Sequence, residues 1–479
     1  MTGRGRISRA KAEAAAKLKE AGCLFCRERS QAEDRFFVWY LAENYLFPES
    51  IHRMVAARGF CPHHTRVFLQ KGIPSTIAYV YRSLAAAAVD QVREVEAALH
   101  GARRLREVGD LLIPKGTCPA CAQEEDHSAY LRHLVASTLA APEVRAALVA
   151  HPTVCLPHFR ELAPVLHRDG LLFVARSLRN QLEARELDRS LVWGAMRERW
   201  PGPAPGPERE QARAERLSRG WSPTADLLRR RVSATACPVC RAEAAATARY
   251  VAWLSQEILA APPYQWENAL WLCPEHGWRF ATTGDPEAVA RLSEAVQALW
   301  RERLEKLATA LEGMPRGGLI RRWVQIPERL RARPDSSVAR RLLAALKEAL
   351  VPPRWAVAAH RERELRTSPC PLCRHLAVVA ERTCDLLVRG FGDPAVRAAY
   401  EGGSGLCMRH LPLALSLARR AAEAAVLVHT ARVRLEMVEW ELEEFLRKQN
   451  WLVRYEFIGV EGGAWQRAVA LLSSVPIEP

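Results

Sequence analysis

Cys118-Pro119-Ala120-Cys121 opens a stretch that closes, 33 residues further on, with Cys155-Leu156-Pro157-His158. The same grammar occurs three more times. Cys23, Cys26, Cys61 and His64 form the first copy, Cys237, Cys240, Cys273 and His276 the third, and Cys370, Cys373, Cys407 and His410 the fourth. The gaps between the two halves of the motif are 34, 33, 32 and 33 residues. Twelve of the 13 cysteines are used this way. The chain has only 14 histidines in 479 residues, so chance does not put one three places after the third cysteine in all four copies.

Zn²⁺ takes four soft or borderline donors at tetrahedral corners. A Cys-x-x-Cys turn aims two thiolates at one ion, and a Cys-x-x-His at a helix start supplies a second pair. The expectation is that each repeat folds its arm back and closes its own Cys₃His site, giving four Zn²⁺ per chain. Iron–sulfur ligation by the same donors is the less favoured alternative. Four protein donors leave no open coordination position, so the sites read as structural and no catalytic residue is assigned.

Other cysteine chemistries fit less well. Disulfides would not require the histidines. A thioredoxin-like reading of Cys-Pro-x-Cys lacks a surrounding βαβ pattern. Covalent haem needs His directly after the second cysteine, where Arg27, Ala122, Arg241 and Arg374 stand. His360-Arg361-Glu362 lies too close before Cys370 to build a deaminase site. His63 competes with His64, but the register of the other repeats selects His64 and leaves His63 as a surface or supporting residue. Cys384 is left over, on an apolar helix face, and reads as a buried inert thiol.

Helical patterning dominates the arms. Ile77, Val80, Leu84, Ala88, Val92, Val95 and Leu99 recur at intervals of three or four, predicting one helix over 75–108, about 50 Å long. Val289, Leu292, Val296 and Leu299 do the same in the third repeat, and Leu435, Val438, Leu442 and Phe445 in the fourth. The fold class is therefore all-α, with four zinc-stapled helical modules arranged as two pairs. The modules are placed at 1–109, 110–200, 223–312 and 353–447, with a Pro-rich linker at 201–222 and an Arg-rich linker with a helical end at 313–352. Residues 448–479 form a C-terminal appendage, with a strand or hairpin arm over Trp451–Val460 and a short helix over Ala464–Leu472. Trp266, Trp271 and Trp278 are expected to pack over the third repeat's closing pair.

The formal charge is +15, nearly all from arginine. Three thiolates and a neutral His leave each Zn²⁺ site near −1, so four loaded sites lower the total to roughly +11. Arg321, Arg322 and Arg329 flank Trp323 in the second linker, and guanidinium groups beside an aromatic suit single-stranded nucleic acid. Arg229, Arg230 and Arg231 make another basic cluster. No run of 18 apolar residues marks a membrane span, and Met1–Ala21 lacks the apolar core of a signal peptide. These features predict a cytoplasmic, non-enzymatic zinc scaffold that binds a protein partner, with nucleic-acid binding as the alternative and no membrane association.

The repeated Cys-Pro-x-Cys, helical arm and Cys-x-x-His resembles an uncharacterised bacterial family of helical proteins with repeated CxxC…CxxH motifs. The run Glu444-Phe445-Leu446-Arg447-Lys448, then Glu461 and Ala464-Trp465-Gln466-Arg467-Ala468, is similar to that family's ending. The resemblance implies zinc binding and a helical fold, and no activity. The first repeat departs from the pattern by having Leu24 in place of proline.

Overall fold

A computed structural model describes residues 3–99, 105–150, 153–184, 189–195, 236–261, 269–314, 354–453 and 455–473. Among them every regular element is a helix, as the patterning predicts. Helix α1 is Gly3–Leu18. The first repeat builds α2 (Leu24–Leu41), α3 (Pro48–Ala57), α4 (Pro62–Lys71) and α5 (Pro74–Leu99), followed by the short α6 (Leu105–Asp110). The second builds α7 (Pro119–Thr138), α8 (Pro142–Ala150), α9 (Leu156–Leu162) and α10 (Arg168–Ala184), followed by α11 (Arg189–Trp193). The third gives α12 (Pro238–Ala260), α13 (Pro274–Thr283) and α14 (Pro286–Gly313). After α15 (Arg354–Leu365), the fourth gives α16 (Pro371–Gly390), α17 (Pro394–Gly402), α18 (Leu411–Leu417) and α19 (Ala421–Lys448), and α20 (Ala464–Ser473) ends the series.

Proline sets many of these starts. It has no N–H to lose at the first helical position and its fixed φ already suits the helix. In Cys-Pro-x-Cys it therefore begins the helix directly after the first cysteine, at Pro119, Pro238 and Pro371. Leu24 begins α2 at the same place, so the departure in the first repeat changes nothing in the backbone. Asp285 and Asp393 cap α14 and α17 by accepting from the first free backbone N–H groups.

By packing, the chain groups differently from its sequential order. One compact unit comprises Met1–Ser30, His127–Met196 and Val251–Pro371; the other comprises Gln31–Asp126, Arg197–Tyr250 and Leu372–Pro479. Each unit is built on one pair of long helices, and each pair joins the two halves of the chain. In the first unit α10 packs on α14. Leu171, Val174, Leu178 and Leu182 form the buried face of α10, and Leu292, Val296, Trp300, Leu304 and Leu307 that of α14. Arg168 closes the end of this pair by donating to the carbonyls of Leu311 (2.7 Å) and Met314 (2.8 Å), groups that α14 leaves without partners.

In the second unit α5 packs on α19, and α20 covers both. Ile77, Tyr81, Leu84, Val92 and Val95 meet a seam that includes Leu427, Leu435, Val438 and Leu442. Burying each such side chain contributes on the order of 1.5–3 kcal/mol. Ion pairs Arg93–Glu436 and Arg432–Glu96, both 3.0 Å, border the seam. Of the single helix expected over 75–108, the described residues show α5 to Leu99 and then α6 from Leu105, which packs on α18; residues 100–104 lie outside the described residues.

The strand expected over Trp451–Val460 does not form; the described residues there are turns, a bend and irregular chain, and Val460 opens a short 3-10 turn to Gly463. A strand needs a neighbour for its backbone groups, and this segment instead turns back on itself through Val453 N to Asn450 O and Glu456 N to Val453 O. Its ends are pinned by charge, with Lys448 paired to the buried Glu461 at 2.7 Å and Arg467 to Glu441 at 2.7 Å. Four charged residues at the chain end thus tie α20 to α19. The Pro-rich linker, the clusters at Arg229–Arg231 and Arg321–Arg333, and Trp266 lie outside the described residues.

Candidate metal centres

The sixteen residues singled out by spacing gather into four Cys₃His groups, but not repeat by repeat. Centre A joins Cys23 and Cys26 of the first repeat to Cys155 and His158 of the second. Centre B joins Cys61 and His64 to Cys118 and Cys121. Centre C joins Cys237 and Cys240 to Cys407 and His410, and centre D joins Cys273 and His276 to Cys370 and Cys373. In each half of the chain one centre is nested inside the other along the sequence. This corrects the expectation that Cys118–His158 and its siblings each close a site of their own.

The reason is helix length. Each Cys pair opens directly into a helix of 18–23 residues. At 1.5 Å per residue that helix carries the chain about 27–35 Å away from its own thiols. The return helices α3, α8 and α17 have only 9 or 10 residues and do not bring it back. In the first half of the chain, backbone hydrogen bonds dock both Cys pairs beside their partner repeat instead. Leu24 N donates to Thr153 O (2.8 Å), setting the Cys23–Cys26 turn next to Cys155. Gly116 N donates to Ala56 O (2.8 Å) just ahead of Cys118, and a Cβ on Gly116 would come within 3.1 Å of the Ala56 backbone.

The donor geometry fits a tetrahedral ion. With Zn–S near 2.3 Å and Zn–N near 2.0–2.1 Å, sulfur–sulfur edges are about 3.8 Å and sulfur–nitrogen edges about 3.5 Å. In centre A, Cys26 Sγ lies 3.7 Å from Cys155 Sγ, and His158 Nδ1 lies 3.1–3.5 Å from Cys155, Cys26 and Cys23. In centre B, Cys121 and Cys61 are 3.6 Å apart, and His64 Nδ1 is 3.2–3.5 Å from Cys61, Cys121 and Cys118. Centre C repeats this with Cys240–Cys407 at 3.6 Å and His410 Nδ1 at 3.3–3.7 Å from its thiols. In centre D, His276 Nδ1 lies 3.3 Å from Cys273 and 3.4 Å from Cys370. None of the thirteen cysteines is in a disulfide.

The chemistry of the pockets suits a cation. Each Cys-x-x-Cys lies at a helix N-terminus, where unpaired N–H groups and the helix dipole favour thiolate. Cys61, Cys155 and Cys273 occupy N-cap positions of α4, α9 and α13 as well. Burial alone would depress the His158 imidazole, but the thiols of Cys23 and Cys26 outweigh it and hold the ring's pKa at about 10. His410 is pushed to about 11 in the same way by Cys237 and Cys407, with Glu243 adding to it. Burial drives the Cys155 thiol well above its ordinary value, and neighbouring thiolates add to the effect.

Three carboxylates escape a reading based on ligand spacing. With Nδ1 facing the thiols, each histidine turns Nε2 outward. Glu124 Oε1 lies 3.0 Å from His64 Nε2, and Glu33 Oε2 lies 3.2 Å from the same nitrogen. Glu33 also holds His63 at 2.5 Å, so His63 supports the shell and stays outside the Cys₃His group. Glu243 Oε2 lies 3.4 Å from His410 Nε2, within ion-pair reach though not aligned as a hydrogen bond. Glu124 and Glu243 both stand three residues after a second cysteine, so Cys-x-x-Cys-x-x-Glu was the available signal. Arg29 and Leu376 hold that position in the other two repeats. A carboxylate behind a ligating histidine fixes its ring and raises its basicity. Glu124→Gln should weaken metal retention at centre B by about tenfold or more while leaving the helical circular dichroism intact, as chelator competition would measure.

Of the tryptophans expected over the third repeat's closing pair, Trp278 stacks edge-on against Trp193, and Trp271 packs on Trp300 beneath the Arg303 guanidinium. Cys384 is fully buried and burial pushes its thiol pKa up, which makes it unreactive. Among the described residues no helix is long and apolar enough to cross a membrane.

A family of unknown function, DUF6062, matches residues 13–169. The matching stretch takes in all eight residues of centres A and B and ends before centres C and D. Its span agrees with the nested pair, rather than the single repeat, as the smallest segment that closes its own centres. The C-terminal residues Glu444–Lys448 and Ala464–Ala468 lie outside it. No curated protein and no solved structure matches the chain.

Proposed function

We propose that the protein is a non-catalytic zinc scaffold of the cytoplasm, in which four structural Cys₃His ions fix long helices for contact with a partner protein. The carrying observation is that each centre gathers four protein donors within 4.8 Å of one another, seated between helix starts. A set of four leaves no position for substrate or water, which is the mark of structural rather than catalytic zinc. Three thiolates and one imidazole also suit zinc by softness and geometry.

The adapter reading is supported by the end of α19 and the segment after it. Trp440, Trp451, Tyr455 and Phe457 are 61–87% exposed there, and exposed apolar side chains gathered in one stretch mark interaction surfaces. The ion pairs at Lys448 and Arg467 hold that stretch in one shape before any partner arrives.

Gently purified protein should carry close to four zinc ions per chain, with a 260/280 nm absorbance ratio typical of protein alone. It should retain a polypeptide partner through a high-salt wash, and the Trp451→Ser/Phe457→Ser variant should release it. Metal content near zero, or iron–sulfur absorbance, would overturn the zinc reading. A raised absorbance ratio with salt-sensitive retention would favour nucleic acid, since phosphate contacts weaken steeply as salt rises.

A further inference from the structure

Centre A and the Cys273, His276 and Cys370 donors of centre D lie in the first compact unit. The ligands of the two centres come from opposite halves of the chain, yet two connections run between their surroundings. The first is the segment Trp193-Gly194-Ala195. Ala195 N–H donates to Cys26 Sγ at 3.2 Å. Gly194 has φ +79°, a conformation that favours glycine, and a Cβ there would sit 3.4 Å from Cys26 Sγ and 3.6 Å from Cys155 Sγ. On its other side, Gly194 O accepts from Trp278 Nε1 at 3.0 Å. The buried Trp193 indole lies directly on Gly277, the neighbour of His276, where any Cβ would overlap the ring.

The second connection is Arg160, two residues beyond His158 on α9. Its guanidinium donates to Leu365 O (3.2 Å) and Thr367 Oγ1 (2.8 Å), on the approach to Cys370. Arg303 holds the same approach through Arg366 O at 2.6 Å. Both halves of centre D are therefore braced from residues that adjoin centre A: the α13 start by Trp193 and Gly194, next to Ala195 on Cys26 Sγ, and the Cys370 approach by Arg160, two residues beyond His158.

We propose that centres A and D are a coupled pair, loading and losing their ions together, with Trp193, Gly194, Ala195 and Arg160 as positioning residues. This rests on the metal reading above. An ion at A fixes Cys26 and Cys155. Those sulfurs seat Gly194 and Ala195, which in turn set Trp193 on Gly277 and hold the first turn of α13 in register. Emptying A removes that support, and the linkage is reciprocal.

The test uses the full chain and zinc itself. Centre A is emptied by Cys23→Ser/Cys155→Ser, and centre B, as a control, by Cys61→Ser/Cys118→Ser. Alkylation of Cys273 and Cys370 under chelator is followed by peptide mass spectrometry. Emptying A should speed their labelling about tenfold, the usual cost of losing a supporting contact, and emptying B should leave it unchanged. In a Trp193→Ala/Arg160→Ala background, emptying A should no longer matter. Unchanged labelling of Cys273 and Cys370 when A is emptied overturns the coupling.

Native mass spectrometry of the unaltered protein during chelation gives a reading independent of variant folding. Combined with alkylation of Cys155 and Cys273, it shows for a coupled pair little protein open at A and still closed at D, whereas an abundant species of that kind overturns the proposal. Protein that holds no zinc before chelation defeats the metal reading itself, an outcome distinct from A opening while D stays closed.

Discussion

In zinc-saturated buffer, which keeps centre D loaded even without the support of centre A, the double variant Cys26→Ser/Cys155→Ser will retain three zinc ions and Cys26→Ser/Cys61→Ser will retain two. The first pair belongs to one centre, so its loss removes a single ion. The second pair lies within one repeat but serves centres A and B, so it removes two. Closure repeat by repeat would give the opposite counts. The second half offers the same contrast: Cys273→Ser/Cys370→Ser should cost one ion and Cys370→Ser/Cys407→Ser two. Elemental analysis after gel filtration distinguishes the outcomes. The effect is large because structural zinc is worth on the order of 10–16 kcal/mol per site at neutral pH, far more than a serine can replace.

Removing all four ions should unfold most of the chain. Each centre ties two helix starts from distant parts of the sequence, and the short helices α4, α9, α13 and α18 have only 7–10 residues. Helices that short are not stable alone in water. Chelation at neutral pH should therefore collapse the 222 nm circular dichroism signal, and added zinc should restore it. Unchanged ellipticity with the metal gone would refute a structural role.

Acid should act in the same direction. In the metal-free pocket of centre A, His158 holds its proton up to about 10 and Cys155 keeps its proton to well above the usual thiol range. Zinc must displace both protons at neutral pH. Each unit of falling pH then strengthens proton competition about tenfold per group, or about a hundredfold for the two. The chelator concentration at half-unfolding should fall accordingly between pH 7.5 and 6.5.

Much of this was legible in the sequence because ligand chemistry is local. A Cys-x-x-Cys turn at a helix start needs two thiols at fixed spacing, and Ile77, Leu84, Val92 and Val95 mark a buried helical face by period alone. Pairing was not legible. Every Cys pair can chemically accept any Cys-x-x-His, and four of each leave the choice to the chain's path. Glu124 and Glu243 were hidden for a related reason: a glutamate on a first helical turn looks like a solvated charge until a histidine ring from another repeat is placed against it. The aromatic and β-branched content of Trp451–Val460 suggested a strand, but such content records only side-chain character, and among the described residues there is no strand to take up its backbone groups.

By itself the sequence determined the all-α class, the sixteen donor positions and the faces of the long helices, because each depends on residues within a few turns of one another. Tertiary structure alone decided that the centres are nested, that α5 packs on α19 and α10 on α14 across the two halves, and that Trp193 and Arg160 bridge centres A and D. Those outcomes depend on where helices of fixed rise deliver the chain. A helix of 18–23 residues moves its end about 27–35 Å from its start, so it is the distant partner, and not the near one, that completes each centre.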